Sequence, residues 1–62
     1  MPAYRFYFLG TDDHIKAAET IECADNATAA TTAAALLDDR PGYASVEVWN
    51  GKELIHHTRR KP

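Results

Sequence analysis

The chain has 62 residues, which makes one domain close to the lower size limit for folding alone. Its lone cysteine, Cys23, excludes a disulfide framework, so a second copy of the chain is the expected source of any extra stability. The net charge of −2 is too small to indicate a polyanionic or polycationic partner.

A strand hairpin is the first predicted element. Residues 4–9 (YRFYFL) alternate in the way typical of a strand. The alternation places two sets of side chains on opposite faces: Tyr4, Phe6 and Phe8 against Arg5, Tyr7 and Leu9. A turn of sequence GTDDH then leads into a second strand over residues 15–23. One face of that strand is mainly apolar, with Ile15, Ala17, Ile21 and Cys23 interrupted by Glu19.

A helix is predicted over residues 26–39, because this segment is rich in alanine, the best helix former. Asp25 is placed to cap its amino end by accepting a hydrogen bond from a backbone N–H group. The sequence RPG at 40–42 ends the helix. At the helical repeat, one stripe of small apolar residues is expected to face the sheet: Ala27, Ala30, Ala33, Ala34 and Leu37. Asp38 and Asp39 lie at the negative end of the helix dipole, which is a mildly unfavourable placement.

The sequence YASVEVWNGKELIHHT predicts a second hairpin, since Asn50-Gly51 is typical of a two-residue type I′ turn. That turn fixes the register: Trp49 opposite Lys52, Val48 opposite Glu53, Glu47 opposite Leu54, Val46 opposite Ile55 and Ser45 opposite His56. The helix side of the hairpin is then expected to carry Ala44, Val46, Val48 and Ile55, with Glu53 and His57. The other side is expected to carry Tyr43, Ser45, Glu47, Trp49, Lys52, Leu54 and His56.

These elements predict an α+β fold of order β-β-α-β-β, a two-layer sandwich with one helix packed on a mostly antiparallel four-stranded sheet. Residues 1–62 are expected to form a single small domain, in which residues 58–62 are a frayed basic tail. No segment has the length needed to span a membrane. The lack of an apolar run after Met1, together with the lone cysteine, favours a cytoplasmic protein.

No motif in the chain indicates catalysis, so we do not expect an enzyme or a cofactor. His56 and His57 are neighbours on a predicted strand and point to opposite faces, so they cannot bind one metal together. A metal site is therefore not expected. Cys23 shares its predicted face with Ile15 and Ile21, which favours a buried structural thiol.

The sheet face away from the helix is predicted to be too apolar for a face that meets only solvent. The candidate contact residues there are Tyr7, Leu9, Tyr43, Trp49, Lys52 and Leu54. In one interpretation, two copies of the chain pack these faces together or join their sheets edge to edge. In a second, an unknown protein or peptide partner docks on the face.

A third interpretation assigns the same face to single-stranded nucleic acid. The bases would stack on Tyr7, Tyr43 and Trp49, as on the sheet-surface aromatics of RNA-binding domains. The basic residues predicted on this face are Arg5, Lys16 and Lys52. The acidic residues Glu22 and Glu47 on the face, and the negative net charge, make nucleic acid a less favoured partner.

The segments YRFYFLGTDDHI and VEVWNGKELI, with the Asp-capped alanine helix between them, resemble a group of short bacterial proteins of unknown function, common in alphaproteobacteria. Those proteins open with an aromatic strand hairpin and close with a Trp-x-Gly-x-x-Leu hairpin. The resemblance covers most of residues 4–55 and implies a small cytoplasmic protein of β-β-α-β-β pattern, with no catalytic or binding residue to carry over.

The predicted function is therefore that of a self-associating protein-interaction module, a homodimer that acts by binding. A module that binds single-stranded nucleic acid is the alternative, and a small enzyme comes third.

Overall fold

The computed structural model describes residues 1–60 and has the predicted order of elements. The elements are β1 (Ala3–Leu9), β2 (Ile15–Glu22), α1 (Asn26–Asp39), β3 (Ser45–Asn50) and β4 (Glu53–Arg59). The four strands form one antiparallel sheet of order β2-β1-β3-β4, and α1 packs on one of its faces. The predicted α+β fold is thus confirmed, and the structure adds the strand order, with β1 and β3 at the centre. Within residues 1–60, no helix combines the length and apolar character needed to cross a bilayer.

Helix α1 begins where the sequence predicts. The side chain of Asp25 accepts a hydrogen bond of 2.7 Å from the backbone N–H of Thr28, which satisfies one of the free donors at the helix start. This bond also holds the pKa of the Asp25 carboxyl below its usual range.

The buried stripe of α1 differs from the predicted one. Its buried residues are Ala29, Ala33 and Leu37, whereas Ala27 and Ala34 are exposed. Because alanine occurs on every side of this helix, the alanines alone define no preferred face. The two leucines decide the rotation, since the observed orientation lets both Leu36 and Leu37 pack against the core.

The core lies between α1 and the central strands. It is formed mainly by residues with almost no exposed surface: Tyr4, Phe6, Phe8, Cys23, Ala29, Ala33, Leu37, Val46 and Val48. The hydroxyl of Tyr4 donates a 2.8 Å hydrogen bond to Asn26 Oδ1, which joins β1 to the start of the helix. Cys23 is 3% exposed, so the prediction of a buried thiol is confirmed.

A β-bulge in the first hairpin changes the predicted face of Ile15. Leu9 lies opposite Ile15 while Phe8 lies opposite Ala17, so Lys16 is the extra residue. Lys16 is held by an ion pair of 3.1 Å with Asp12. Ala17 and Ile21 pack against the core as predicted, but Ile15 turns to the face away from α1 and is 57% exposed.

The predicted register of the second hairpin is wrong. Asn50 pairs with Glu53 and Trp49 with Leu54, so the loop consists of residues 51–52. Gly51 has φ of +62°, and a glycine with positive φ at the first loop position is what a type II′ turn requires. A type I′ turn over Asn50-Gly51 would need positive φ at both residues, and Asn50 does not have it.

A second bulge follows, at Ile55. Trp49 pairs with Leu54 but Val48 pairs with His56, which makes Ile55 the extra residue. Ile55 packs against the core as predicted. Past the bulge, the predicted faces of the two histidines are exchanged: His56 lies opposite Val48 on the helix side, and His57 lies opposite Glu47 on the other side.

The prediction of a frayed tail is wrong for residues 58–60. Strand β4 extends to Arg59, and the backbone N–H of Arg60 donates a 2.7 Å hydrogen bond to the Ala44 carbonyl. The Arg60 guanidinium donates to the carbonyls of Leu37, Arg40 and Tyr43. The rest of the predicted tail, residues 61–62, lies outside the described residues.

An ion pair links β2 to the end of α1. The guanidinium of Arg40 donates to Glu19 Oε2, and its Cζ lies 4.8 Å from the centroid of the Phe8 ring. Glu19, which interrupts the apolar face of β2 in the sequence, therefore has a partner on the helix side of the sheet. The hydrogen bond from Arg40 holds the pKa of the Glu19 carboxyl below its ordinary value of 4.5.

This ion pair predicts a pH-dependent contribution to stability. Because the pKa of Glu19 is lower in the folded state, the contribution is present above about pH 4.5 and is lost as the pH falls through the folded value. We expect Glu19→Gln to lower the urea midpoint at pH 7, and the difference from the parent to shrink between about pH 5 and pH 3. Urea unfolding followed by far-UV circular dichroism measures both curves. A difference that is constant across this range would show that the Glu19 charge contributes nothing.

Candidate functional site

The candidate site is the sheet face away from α1, which we call the open face. Side chains that lie directly opposite on neighbouring strands share a face, so the pairing of the strands defines its members. They form three rows across β2, β1, β3 and β4: Thr20, Arg5, Trp49 and Leu54; Ala18, Tyr7, Glu47 and His57; Ile15, Leu9, Ser45 and Arg59.

Three of the predicted contact residues lie together on the open face. Trp49 and Leu54 are directly opposite each other, and Tyr7 lies in the neighbouring row of β1. Tyr7 and Trp49 are half-buried, and Leu54 is 46% exposed. Ile15 is also part of this face, although its alternation with Ile21 in the sequence placed it on the other side. The presence of turn residues just before Ile15 was the only signal for a bulge.

The other predicted contact residues add no accessible apolar surface to the open face. The prediction for Tyr43 is wrong: it precedes β3, and its ring packs on the core with its centroid 5.3 Å from that of Phe8. The alternation of β3 does not extend back to Tyr43, because the strand begins at Ser45. Lys52 is exposed in the turn. Leu9 belongs to the open face but is only 7% exposed.

The polar groups of the open face are partly ordered within the chain. The indole Nε1 of Trp49 donates a 3.2 Å hydrogen bond to Glu47 Oε1, which fixes the carboxylate on the central strand β3. The Cζ of Arg5 lies 5.9 Å from the centroid of the Tyr7 ring, a distance at which a cation and an aromatic face attract each other. The face thus carries a cation on β1 and, one row along, an anion on β3.

One end of the open face is covered by the chain itself. Arg59 on β4 forms an ion pair of 3.1 Å with Asp13 in the turn between β1 and β2. This pair joins the two edges of the sheet across the positions of Leu9 and Ser45. Both residues are buried, and Ser45 Oγ has no hydrogen-bond partner within residues 1–60. The accessible apolar part of the face therefore lies toward Tyr7, Trp49 and Leu54.

Two depressions on and beside the open face are open to solvent. One of about 300 Å³ lies on the open face and is lined by Tyr7, Ile15, Glu47, Trp49 and Gly51. Such a surface fits a broad contact better than an enclosed small-molecule site, which buries most of its ligand.

A larger depression of about 420 Å³ lies beyond the sheet end, beside Arg59 and Arg60. Its two arginines already have partners, since Arg59 pairs with Asp13 and Arg60 donates to backbone carbonyls. Within residues 1–60 both guanidinium groups are thus already engaged, which leaves less of their donor capacity for an anionic ligand.

The histidines do not converge on a metal position. His56 and His57 lie on opposite faces of β4, as adjacent strand residues do. Within residues 1–60, no three side chains of His, Cys, Asp or Glu are grouped so that they could hold a metal ion.

No protein-family model matches this chain, and neither a curated protein nor a solved structure shows significant similarity to it. The resemblance to short alphaproteobacterial proteins stays a prediction.

Proposed function

We propose that the protein is a cytoplasmic, self-associating interaction module, a homodimer that acts by binding through the open face. The observation that carries the proposal is the group of accessible apolar side chains on that face, Tyr7, Ile15, Trp49 and Leu54. Scattered apolar residues are normal on a protein surface, but a contiguous group indicates an interface. A second copy of the chain is the occupant we favour, because a domain of this size gains most from additional burial.

The size of the molecule supports a reversible dimer. Its largest dimensions are 31 and 20 Å, so a flat face covers roughly 600 Å² in projection, or roughly 1,200 Å² for two protomers. This area is at the lower end of the range for specific, stable complexes. We therefore expect a dimer that dissociates on dilution.

Binding of single-stranded nucleic acid is less well supported by the same face. Tyr43 packs on the core instead of presenting its ring, and Lys16 is paired with Asp12. The carboxylate of Glu47 lies near the middle of the face, where it repels phosphate. These placements remove one aromatic platform and one free cation from the nucleic-acid interpretation.

Replacing Trp49 by alanine is expected to weaken self-association by at least about tenfold, because truncation of a central aromatic residue in an interface costs about 2 kcal/mol or more. Light scattering across a concentration series, with the parent measured alongside, gives the two dissociation constants. Far-UV circular dichroism checks that the variant keeps its helix.

The matched control is Thr31→Ala, a substitution on the exposed side of α1, which should leave association unchanged. Leu54→Ala serves as a second test, because it keeps Trp49 as a fluorescent probe of burial at the contact. A parent protein that stays monomeric at all concentrations would overturn the proposed dimer. Equal association of the parent and Trp49→Ala would move the interface away from the open face.

A further inference from the structure

The distribution of charge on the open face restricts how two copies can pack on it. A homodimer with a two-fold axis brings the same patch of both protomers together. When two sheets stack face to face at about 10 Å, their strands stay within about 30° of each other in the aligned class. The axis then lies between the sheets, either parallel to the strands or across them.

A two-fold axis that is perpendicular to the strands and passes through the row of Tyr7 and Glu47 is unfavourable. It places Glu47 over the partner's Glu47, since a residue on the axis meets its own copy. Two carboxylates brought together in a contact that excludes water repel each other. Sliding the sheets by one row separates the carboxylates, but the sheets then overlap in only two of their three rows, which reduces an interface area that is already at the lower end of the range for stable complexes.

An axis parallel to the strands, between β1 and β3, brings unlike residues together. It stacks β1 on the partner's β3 row by row, because Arg5 is opposite Trp49 and Tyr7 is opposite Glu47 within each protomer. Arg5 then meets the partner's Trp49, and Tyr7 meets the partner's Glu47. The symmetry repeats both contacts, so each Glu47 lies next to an arginine of the other chain.

The geometry points to a face-to-face dimer in which the two-fold axis runs along β1 and β3, and in which Arg5 of each protomer pairs with Trp49 and Glu47 of the other. This inference rests on the proposed self-association and adds its geometry. The indole of Trp49 already holds one carboxylate oxygen of Glu47. Arg5 on the second copy therefore meets an aromatic face and a fixed carboxylate in one place, a combination that suits a guanidinium.

Two charge reversals test this arrangement. In Glu47→Lys, lysine meets the partner's Arg5, and in Arg5→Glu, glutamate meets the partner's Glu47. Each variant alone should therefore associate at least about tenfold more weakly than the parent. A one-to-one mixture of the two variants should form a heterodimer of near-parental affinity, because both contacts across its interface then pair opposite charges. Native mass spectrometry separates the three species by mass, and circular dichroism checks the fold of each variant.

The outcomes distinguish the geometry from the function. Recovery in the mixture supports the pairing of Arg5 with the partner's Glu47 that the axis along the strands produces. If both single variants associate as tightly as the parent, the dimer forms at a sheet edge, and the inferred geometry fails while self-association stands. If the variants are weakened but the mixture does not recover, the contact lies on the open face with a different axis. If the parent itself is monomeric throughout, the proposed function fails as well.

Discussion

Replacing Phe8 by alanine is expected to remove most or all of the stability of this domain. Phe8 is completely buried on the central strand β1, between Ala17 of β2 and Val46 of β3. The ring of Tyr43 and the guanidinium of Arg40 pack against it from the segment that follows α1. The side chain thus joins three strands to the end of the helix.

The expected loss is about 3–5 kcal/mol, which is typical of Phe→Ala in a core. The single hydrophobic core of a domain of 62 residues rarely supplies more than about 3–5 kcal/mol of net stability. Urea unfolding at 25 °C, followed by far-UV circular dichroism, should show a protein that is unfolded or close to it without denaturant. The measurement belongs at a protein concentration where the parent is monomeric, so that association does not add to the folding free energy.

Tyr7→Ala is the matched control for this experiment. Tyr7 is an aromatic residue on the same strand, but it lies on the open face and is half-buried. Its truncation should cost the isolated monomer about 1 kcal/mol. A loss of that size for Phe8→Ala as well would contradict the assignment of the core to the helix side of the sheet.

The features predicted correctly from the sequence are those that local chemistry determines. The alternation of residues 4–9 identifies β1 and its buried aromatics. A carboxylate before an alanine-rich segment identifies the start of α1 at Asp25. Each of these signals is contained within a few neighbouring residues, so no knowledge of the tertiary structure is needed to interpret it.

The features predicted wrongly depend on contacts between distant segments. The dipeptide Asn50-Gly51 favours a type I′ turn, but that turn leaves no bulge at Ile55 and pairs Ser45 with His56. In the structure, the shifted register pairs Ser45 with Arg59 instead. Arg59 and Arg60 then reach Asp13 and the end of α1. These tertiary contacts outweigh a local turn preference, which is a weak determinant of register.

The candidate site was partly predictable for the same reason. Tyr7 and Trp49 lie on the open face because of the alternation within their own strands. At Leu54 the observed register of β4 differs from the predicted one by two residues, and a shift by an even number of residues keeps a side chain on the same face. Ile15 lies on the open face instead of the helix side because it is next to a bulge. Tyr43 lies on the helix side instead of the open face because it is outside strand β3. Period-two alternation is reliable only inside a regular strand.

Replacing Arg60 by alanine is the second change with a large expected effect. Three hydrogen bonds of its guanidinium end on the carbonyls of Leu37, Arg40 and Tyr43. These groups form the carboxyl end of α1 and the segment after it, where the helix dipole is negative. The cation therefore offsets the unfavourable placement of Asp38 and Asp39. Hydrogen bonds from a charged donor contribute about 1.5–3 kcal/mol, so we expect Arg60→Ala to cost about 2 kcal/mol and to lower the Tm by at least about 8 °C.

The neighbouring Arg59 provides the control, because it differs from Arg60 in its contacts but not in its chemistry. Its side chain is 57% exposed, and its ion pair is with the exposed carboxylate of Asp13; such pairs contribute little to stability. Arg59→Ala should shift the urea midpoint much less than Arg60→Ala.

Arg60→Lys separates the effect of the charge from that of the hydrogen-bond geometry, since an ammonium group keeps the charge but lacks the planar fork that reaches several carbonyls at once. We expect it to recover less than half of the loss. Equal effects of Arg59→Ala and Arg60→Ala would show that Arg60 acts only through its charge, and that the end of the chain does not hold the helix to the sheet.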